Sequence, residues 1–384
     1  MDVTKLRCCE FSCLILLCVL PATSKASWMW LGIASLGTVN QPNDLDLPAS
    51  SSSNPVLPRP TSPGESVCSL VPGLATEQRA VCERRPEAIP VIGAGARLGI
   101  AECQRQFREE RWNCTIHDQE QNAFGKVLKT GSRETAFVYA ITSAGVVHAV
   151  TKTCSLGNLT DCSCDDSRNG LVNSEGWQWG GCSDNLDYGI TVGRQFVDAA
   201  EVRKGEEEEG KANRVRSAMN LHNNEVGRQA LRQFMSRQCR CHGVSGSCTI
   251  KSCWNTMPDF LAVGDYLKNR YLQSIEILNR PTKRRLRRKD RGMRKVPIAQ
   301  DEMVHLERSP NYCVRDASRG IMGTTGRECN RTSAAADSCD LLCCGRGYNT
   351  QEVRIVERCD CKFIWCCEVK CRVCETITDL YTCK

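Results

Sequence analysis

The sequence predicts an α+β protein: a helical N-terminal domain that carries a disulfide-stapled hairpin, and a small cysteine-rich C-terminal domain built on a β-hairpin. Two observations carry this. Apolar residues recur at helical spacing through much of the first 279 positions, and the cysteines are distributed unevenly. Ser27 to Asn279 holds 12 cysteines in some 250 residues, whereas Cys313 to Cys383 packs 12 into 71. The first part is long enough to bury an ordinary core. The second is not, and must be held by cross-links.

Residues 1–26 read as a secretory leader. Lys5 and Arg7 precede the apolar run Phe11 to Leu20, and small residues close the segment at Ser24-Lys25-Ala26. The run is too short to span a bilayer, and no later stretch reaches the roughly 20 apolar residues of a transmembrane helix. An exported chain with no transmembrane segment and no nucleic-acid role follows. Of the 28 cysteines, Cys8, Cys9, Cys13 and Cys18 lie in the leader, which leaves 24, an even number suited to complete pairing. Only five histidines exist, and a C-x-C spacing such as Cys162/Cys164 is tight for one tetrahedral zinc, so neither a metal nor another cofactor is expected. Asn113, Asn158 and Asn330 head N-x-T acceptors for glycosylation.

Taken in order, residues 27–279 begin with Trp28-Met29-Trp30-Leu31, apolar enough to dock on the body. Thr38 to Ser66, rich in Pro, Ser and Asn, reads as a flexible insertion. Ile100, Cys103 and Phe107 mark a helix within Arg97 to Trp112. Ser132 caps a helix through Phe137, Val138, Ile141, Val146 and Val150, apolar on most sides and therefore central. Val215, Met219, Val226, Ala230 and Phe234 form another stripe between Asn213 and Gln238. His222, Asn223, Asn224 and Glu225 interrupt it, as residues for buried helix-to-loop hydrogen bonds. Met257 to Leu278 reads as a fourth helix, and Glu206 to Glu209 as a solvated acidic loop.

Residues 239–253 read C-R-C-H-G-V-S-G-S-C-T-I-K-S-C. If Cys241 pairs with Cys248 inside a Cys239–Cys253 pair, the hairpin is stapled twice and can hold its tip away from the body without a core. The tip, Gly243 to Ser247, offers small side chains and one prominent hydroxyl, Ser245, which suggests a site of attachment or contact. Residues 280–298 form a basic linker in which Arg280 to Lys295 holds ten Lys or Arg against Asp290 alone. The whole chain carries +7; the leader contributes +1 and this strip +9, so the remainder is near −3. The cationic character is local, suited to sulfated polysaccharide, acidic headgroups or a processing protease at Arg284-Arg285 and Arg287-Arg288. Within residues 299–384, the stretch 359–374 is nearly symmetric. Pairing Cys359 with Cys374 and Cys361 with Cys371 would close a long hairpin whose tip holds Ile364, Trp365, Cys366 and Cys367. An aromatic tip on a rigid finger is a poor core element and a good contact. Cys366 and Cys367 either bond to each other or pair with distant partners.

With these motifs in view the chain resembles the Wnt family of secreted signalling proteins. The resemblance rests on the Ser245 loop and on Arg111-Trp112-Asn113-Cys114, Glu134-Thr135-Ala136-Phe137 and Gly180-Gly181-Cys182-Ser183-Asp184. It continues through Met219 to Glu225, Leu341-Leu342-Cys343-Cys344-Gly345-Arg346-Gly347-Tyr348 and Phe363 to Cys367. The Thr38–Ser66 and Glu206–Glu209 stretches depart from it. The resemblance implies a palmitoleoyl ester on Ser245, and a thumb (His242, Gly243, Val244, Ser245, Gly246) and an index finger (Phe363, Ile364, Trp365, Cys366, Cys367, Glu368, Val369) gripping the cysteine-rich domain of a Frizzled receptor. It further implies a low-density-lipoprotein-receptor-related co-receptor, the Wntless carrier, the Porcupine acyltransferase and heparan sulfate as partners. The family pattern pairs Cys103–Cys114, Cys154–Cys162, Cys164–Cys182, Cys313–Cys344, Cys329–Cys339, Cys343–Cys383 and Cys366–Cys367; Cys68–Cys82 is the pair left over. No such pair crosses the basic linker. Three other readings weigh less. A serine hydrolase would need Gly where Ser247 stands in G-x-S-x-G. A metal-binding protein would keep free thiols. A heparin-binding matrix protein explains the basic strip but not the serine loop or the finger.

Overall fold

A computed structural model describes residues 28–32, 68, 71, 74–116, 124–202, 211–279 and 285–384. The leader, the 38–66 insertion and the acidic run at 206–209 lie outside the described residues. Helix α3 (Arg133–Ser155) is the central element, with Phe137, Ala140, Ile141, Ala144, Val147 and Val150 fully buried. Ser132 caps it, its hydroxyl accepting from Thr135 N at 3.5 Å. Around α3 pack α2 (Ala88–Phe107), α4 (Leu186–Gly193), α5 (Lys211–Phe234) and α6 (Phe260–Leu272). Helices α2 and α3 meet backbone to backbone: a Cβ on Gly145 would stand 2.3 Å from the Gly95 carbonyl oxygen. The 3-10 turn Trp28–Gly32 docks as expected, with Met29 and Leu31 fully buried and Trp28 edge-on to Phe196 at 6.2 Å.

Several boundaries differ from the sequence reading. Helix α2 begins at Ala88, not Arg97, because Pro90 falls in the first turn, where its missing N–H costs nothing. Helix α5 stops at Phe234, not Gln238, because strand pairing claims the chain from Ser236. Helix α6 runs only from Phe260 to Leu272. Asp259 caps it, accepting from Leu261 N at 3.1 Å, and Ile275–Glu276 (β4) pairs in parallel with Val304–His305 (β5). The reading missed α1 (Thr76–Arg84) and α4, whose last turn widens into a π-turn over Arg194–Asp198.

The polar quartet on α5 makes the helix-to-loop bonds expected of it. Asn223 Nδ2 donates to Val304 O and Asn223 Oδ1 accepts from Val304 N, each at 3.0 Å. His222 Nε2 lies 2.8 Å from Glu302 O. Asn224 donates to Asp198, and Glu225 binds Arg194 and Arg228. Arg228 is 1 % exposed, and its charge is met by Asp198 at 2.9 Å on one side and Glu225 at 2.9 Å on the other.

The C-terminal part contains α7 (Cys339–Leu342) and a sheet in the order β6 (Glu328–Cys329), β8 (Glu368–Cys383), β7 (Tyr348–Ile364). It joins the helical part through backbone acceptors. Arg327 donates to Arg108 O at 2.9 Å, Glu110 O at 2.6 Å and Arg111 O at 3.0 Å, the carbonyls left over past the end of α2. Arg111 returns a bond to Leu341 O at 3.0 Å, and Trp112 packs on Tyr312. The linker also differs from a free, solvated strip. Arg288 bridges Ile277, Leu278 N donates to Arg287 O at 2.9 Å and Lys289 N to Glu276 O at 2.8 Å, and Leu286 packs beside Ile277 and Val304. The reason is charge as well as pairing: Arg288 meets Glu302 and Lys289 meets Glu276, both at 2.5 Å.

Two stapled hairpins as the candidate binding site

The first hairpin is formed by β2 (Ser236–Cys241) and β3 (Lys251–Thr256), antiparallel with Cys239 opposite Cys253. Disulfides Cys239–Cys253 and Cys241–Cys248 clamp its stem and its neck. Beyond the neck, His242 N donates to Ile250 O and Gly243 N to Ser247 O, both at 2.7 Å. Glycine is required at 243, since a Cβ there would lie 2.4 Å from the Ser247 carbonyl oxygen, backbone that cannot swing aside. Ser245 sits at the apex with φ 57° and ψ 28°, followed by Gly246 at φ 76°. A left-handed serine costs about 1 kcal/mol, borne here by the staples. Val244 is 89 % exposed, and the Ser245 hydroxyl makes no hydrogen bond among the described residues.

A brace that the sequence reading missed holds the base of this hairpin. Strand β1 (Gln178–Trp179) adds to β3 in parallel, and Cys164–Cys182 ties its loop down. The Arg237 guanidinium on β2 lies over the Trp177 ring at 4.6 Å, Trp177 meets Trp179 edge-on at 5.0 Å, and Arg168 lies over Trp179 at 5.1 Å. Just below, Asp184 accepts from Met257 N at 2.6 Å and from Lys152 at 2.9 Å. Burial, the largest single influence, opposes its ionisation, but hydrogen bonds from Ser155, Lys152 and Met257 N together hold its carboxyl below the usual range. The legible signal was W-x-W before Gly180-Gly181, where Gly181 takes φ 91° and a Cβ would stand 3.3 Å from the Trp254 ring.

The second hairpin, β7–β8, pairs Phe363 with Val369 and Ile364 with Glu368, with an irregularity between Cys359 and Lys362. Disulfides Cys359–Cys374 and Cys361–Cys371 rung it. Its apolar side chains stand in solvent: Trp365 is 91 % exposed, Phe363 67 % and Val369 60 %. The expected Cys366–Cys367 bond is absent; both are exposed thiols in a turn with φ 72° and 79°. A bond between adjacent cysteines must close a strained eight-membered ring, and in this turn both thiols stay free and exposed.

Elsewhere the structure joins Cys68–Cys82, Cys103–Cys114, Cys154–Cys162, Cys313–Cys344, Cys329–Cys339 and Cys343–Cys383. Of the sequon asparagines, Asn158 and Asn330 are exposed and Asn113 half-buried near Tyr312. Among the described residues no helix is long and apolar enough to cross a membrane.

The family model described as "wnt family" matches residues 70–384. The chain belongs to the Wnt family. It is 50 % identical to Protein Wnt-16 of Mus musculus over 375 residues, covering 96 % of this chain and 95 % of that one. Identity to Protein Wnt-16 of Bos taurus is 48 % over 373 residues, with the same coverage. A chain in the solved structure "Human WLS in complex with WNT8A" superposes with a TM-score of 0.56 at 37 % identity, covering 77 % of this chain and 94 % of that chain. The Trp28-Met29-Trp30-Leu31 start and the basic strip resemble the Wnt subtype numbered sixteen, the name that both of these relatives carry. Wnt proteins are signalling ligands rather than enzymes, and this member has the disulfide-rich α+β fold of the family. Two of its family motifs lie where the two parts meet, Asn223 binding Val304 and Trp112 facing Tyr312, while Arg346 acts within the C-terminal part, donating to Cys313 O at 3.0 Å and Lys384 O at 2.9 Å.

Proposed function

We propose that this Wnt-family protein is a secreted ligand acylated on Ser245, and that it grips the cysteine-rich domain of a Frizzled receptor between the Ser245 loop and the Phe363–Val369 finger. One observation carries the reading: a serine hydroxyl without a hydrogen-bond partner among the described residues, at the apex of a hairpin stapled twice and braced at its base. Such a group serves no core, and an acyltransferase of the Porcupine type can reach it without unfolding the stem.

The energetics support a lipid there. At about 0.8 kcal/mol per buried CH₂, a groove covering roughly ten methylenes supplies about 8 kcal/mol, micromolar binding by itself. The finger, with Trp365 at its tip, adds affinity and discriminates between receptors. An exposed sixteen-carbon chain is insoluble alone, which calls for a carrier; the relative in the WLS complex makes a Wntless-type carrier the natural candidate. Arg285, Arg287, Arg291, Arg294 and Lys295 have no ion pair among the described residues and suit heparan sulfate in the extracellular matrix. A low-density-lipoprotein-receptor-related protein is the expected co-receptor, and Asn113, Asn158 and Asn330 are the glycan acceptors.

The test is the mass of the peptide containing Ser245, from protein secreted by animal cells, before and after mild ester hydrolysis. The expected increment is that of a base-labile monounsaturated sixteen-carbon acyl group, with Ser245→Ala losing both it and receptor binding. A bare serine in secreted, active protein refutes the acyl mechanism.

A further inference from the structure

We propose that the exposed turn at 291–296 is a proteolytic processing site for a Lys/Arg-specific serine protease, and that cutting there gives a two-chain protein whose halves remain one particle. The sequence offers dibasic pairs as the obvious targets, but the fold removes Arg287-Arg288 from reach. A protease of this class takes an extended segment with the cationic side chain inserted in its own acidic pocket. Arg288 cannot supply that while folded. Its backbone bridges Ile277, its guanidinium binds Glu302 Oε2 at 2.5 Å and Pro297 O at 3.4 Å, and its side chain is 12 % exposed. Arg287 O and Lys289 N are both committed to the β4 segment, and Leu286 is packed beneath.

The next six residues differ in every respect. Positions 291–296 are exposed throughout, and their internal bonds are few: Gly292 N to Asp290 Oδ1 at 2.9 Å and Val296 N to Met293 O at 3.0 Å. Arg291, Arg294 and Lys295 all lie here, unpaired with any carboxylate among the described residues. Loop tips with little backbone bonding are where nicking concentrates. Hydrolysis after any of the three adds one water, its oxygen to the new carboxylate and its protons shared with the new amine, as the C–N bond breaks.

Such a cut does not release the C-terminal part. No disulfide among the described residues crosses 280–298, so cohesion is non-covalent, yet it is extensive. Ile275 N donates to Met303 O and Ile277 N to His305 O, both at 2.8 Å. Asn223 makes two bonds to Val304, and Leu306 N and Glu307 N share Gly131 O at 2.8 and 3.0 Å. Arg327 caps the end of α2 across the junction. Both hairpins therefore stay on one molecule, and the nick frees only the cationic turn.

Limited digestion of the full-length, unreduced protein with trypsin tests both claims. The expected first products are two fragments with new N-termini at Gly292, Lys295 or Val296, separating on a denaturing unreduced gel and co-eluting as one peak on a native column. Glu302→Gln, which removes the charge partner of Arg288, should bring an added cut with Lys289 as the new N-terminus. A first cut within 280–289 in the wild type overturns the site; fragments that part on the native column overturn the two-chain particle.

Discussion

His305 makes stability depend on pH in a calculable way. It lies on β5, 2 % exposed, with Nδ1 lacking a partner among the described residues. Burial, foremost, and the nearby Arg133 push its pKa from 6.5 down to about 4, with Lys289 adding to the fall, while Glu276 and Glu134 oppose it. The unfolded chain therefore binds this proton more readily than the folded one. The contribution is complete above pH 6.5 and is lost as pH falls toward 4. A shift of about 2.5 units at 1.36 kcal/mol each bounds the effect near 3 kcal/mol, and at pH 5 about 2 kcal/mol of it is gone. The assay is denaturant unfolding of the unreduced protein at pH 7.5, 6 and 5, followed by tryptophan fluorescence, for wild type and His305→Gln. His148 and His222, also lowered by burial, contribute equally to both proteins and cancel in the comparison. Wild type should lose about 2 kcal/mol more than the variant between pH 7.5 and 5. Parallel pH profiles would show that His305 is solvated or paired, and the reasoning would fail.

Arg228→Met should cost about 3–5 kcal/mol by stranding Asp198 without its partner; unfolding in denaturant measures it, and a loss under about 1 kcal/mol refutes the buried pair. Gly145→Ala forces a Cβ to within 2.3 Å of Gly95 O, backbone that cannot swing aside, so α2 and α3 must part at about 1–3 kcal/mol; an unchanged melting temperature contradicts the close crossing. Arg237→Ala removes a cation–π contact worth about 1 kcal/mol. Amide exchange over 236–241 and 251–256 should quicken without a matching fall in melting temperature, and Arg237→Lys should recover part of the protection; unchanged exchange means the stack does not brace the hairpin.

What could be read from the chain depended on how local the signal was. Ser132 ahead of an all-apolar run announced α3 because cap and pattern lie within one element. The cysteine pairs of the two hairpins were visible in spacing, since pairing across a short ribbon is a local matter. Cys366 and Cys367 were not legible from spacing, which allowed a bond between neighbours or distant pairing; in the structure both are free thiols. Helix ends failed where a distant partner decides them: nothing in Ile275-Glu276 announces Val304-His305 some 30 residues later, and that pairing ended α6. The brace failed for the same reason, as Trp177 gains meaning only once Arg237 is folded over it. Charge was read correctly in sum and wrongly in place, because Glu276 and Glu302, outside the basic run, anchor part of it.

The two hairpins are rigid by covalent means, but the angle between them is not. It is set by a junction with no disulfide among the described residues, built from backbone pairing at 275–277 and Gly131 and from side chains that donate to backbone: Arg327 to three carbonyls, Arg111 to Leu341 O, Asn223 to Val304. Carbonyl acceptors do not titrate, and such bonds are geometrically fixed where surface ion pairs such as Arg270–Asp301 are worth little. A ligand that holds its receptor at two points gains from the effective concentration of the second contact once the first is made, and loses that gain if the geometry slackens. In the proposed two-point grip, stiffness at the junction converts two modest contacts into one strong one. By the same reasoning a cut in the exposed turn should leave the junction intact, whereas Arg327→Ala, which leaves three carbonyls past the end of α2 without a donor, should loosen it.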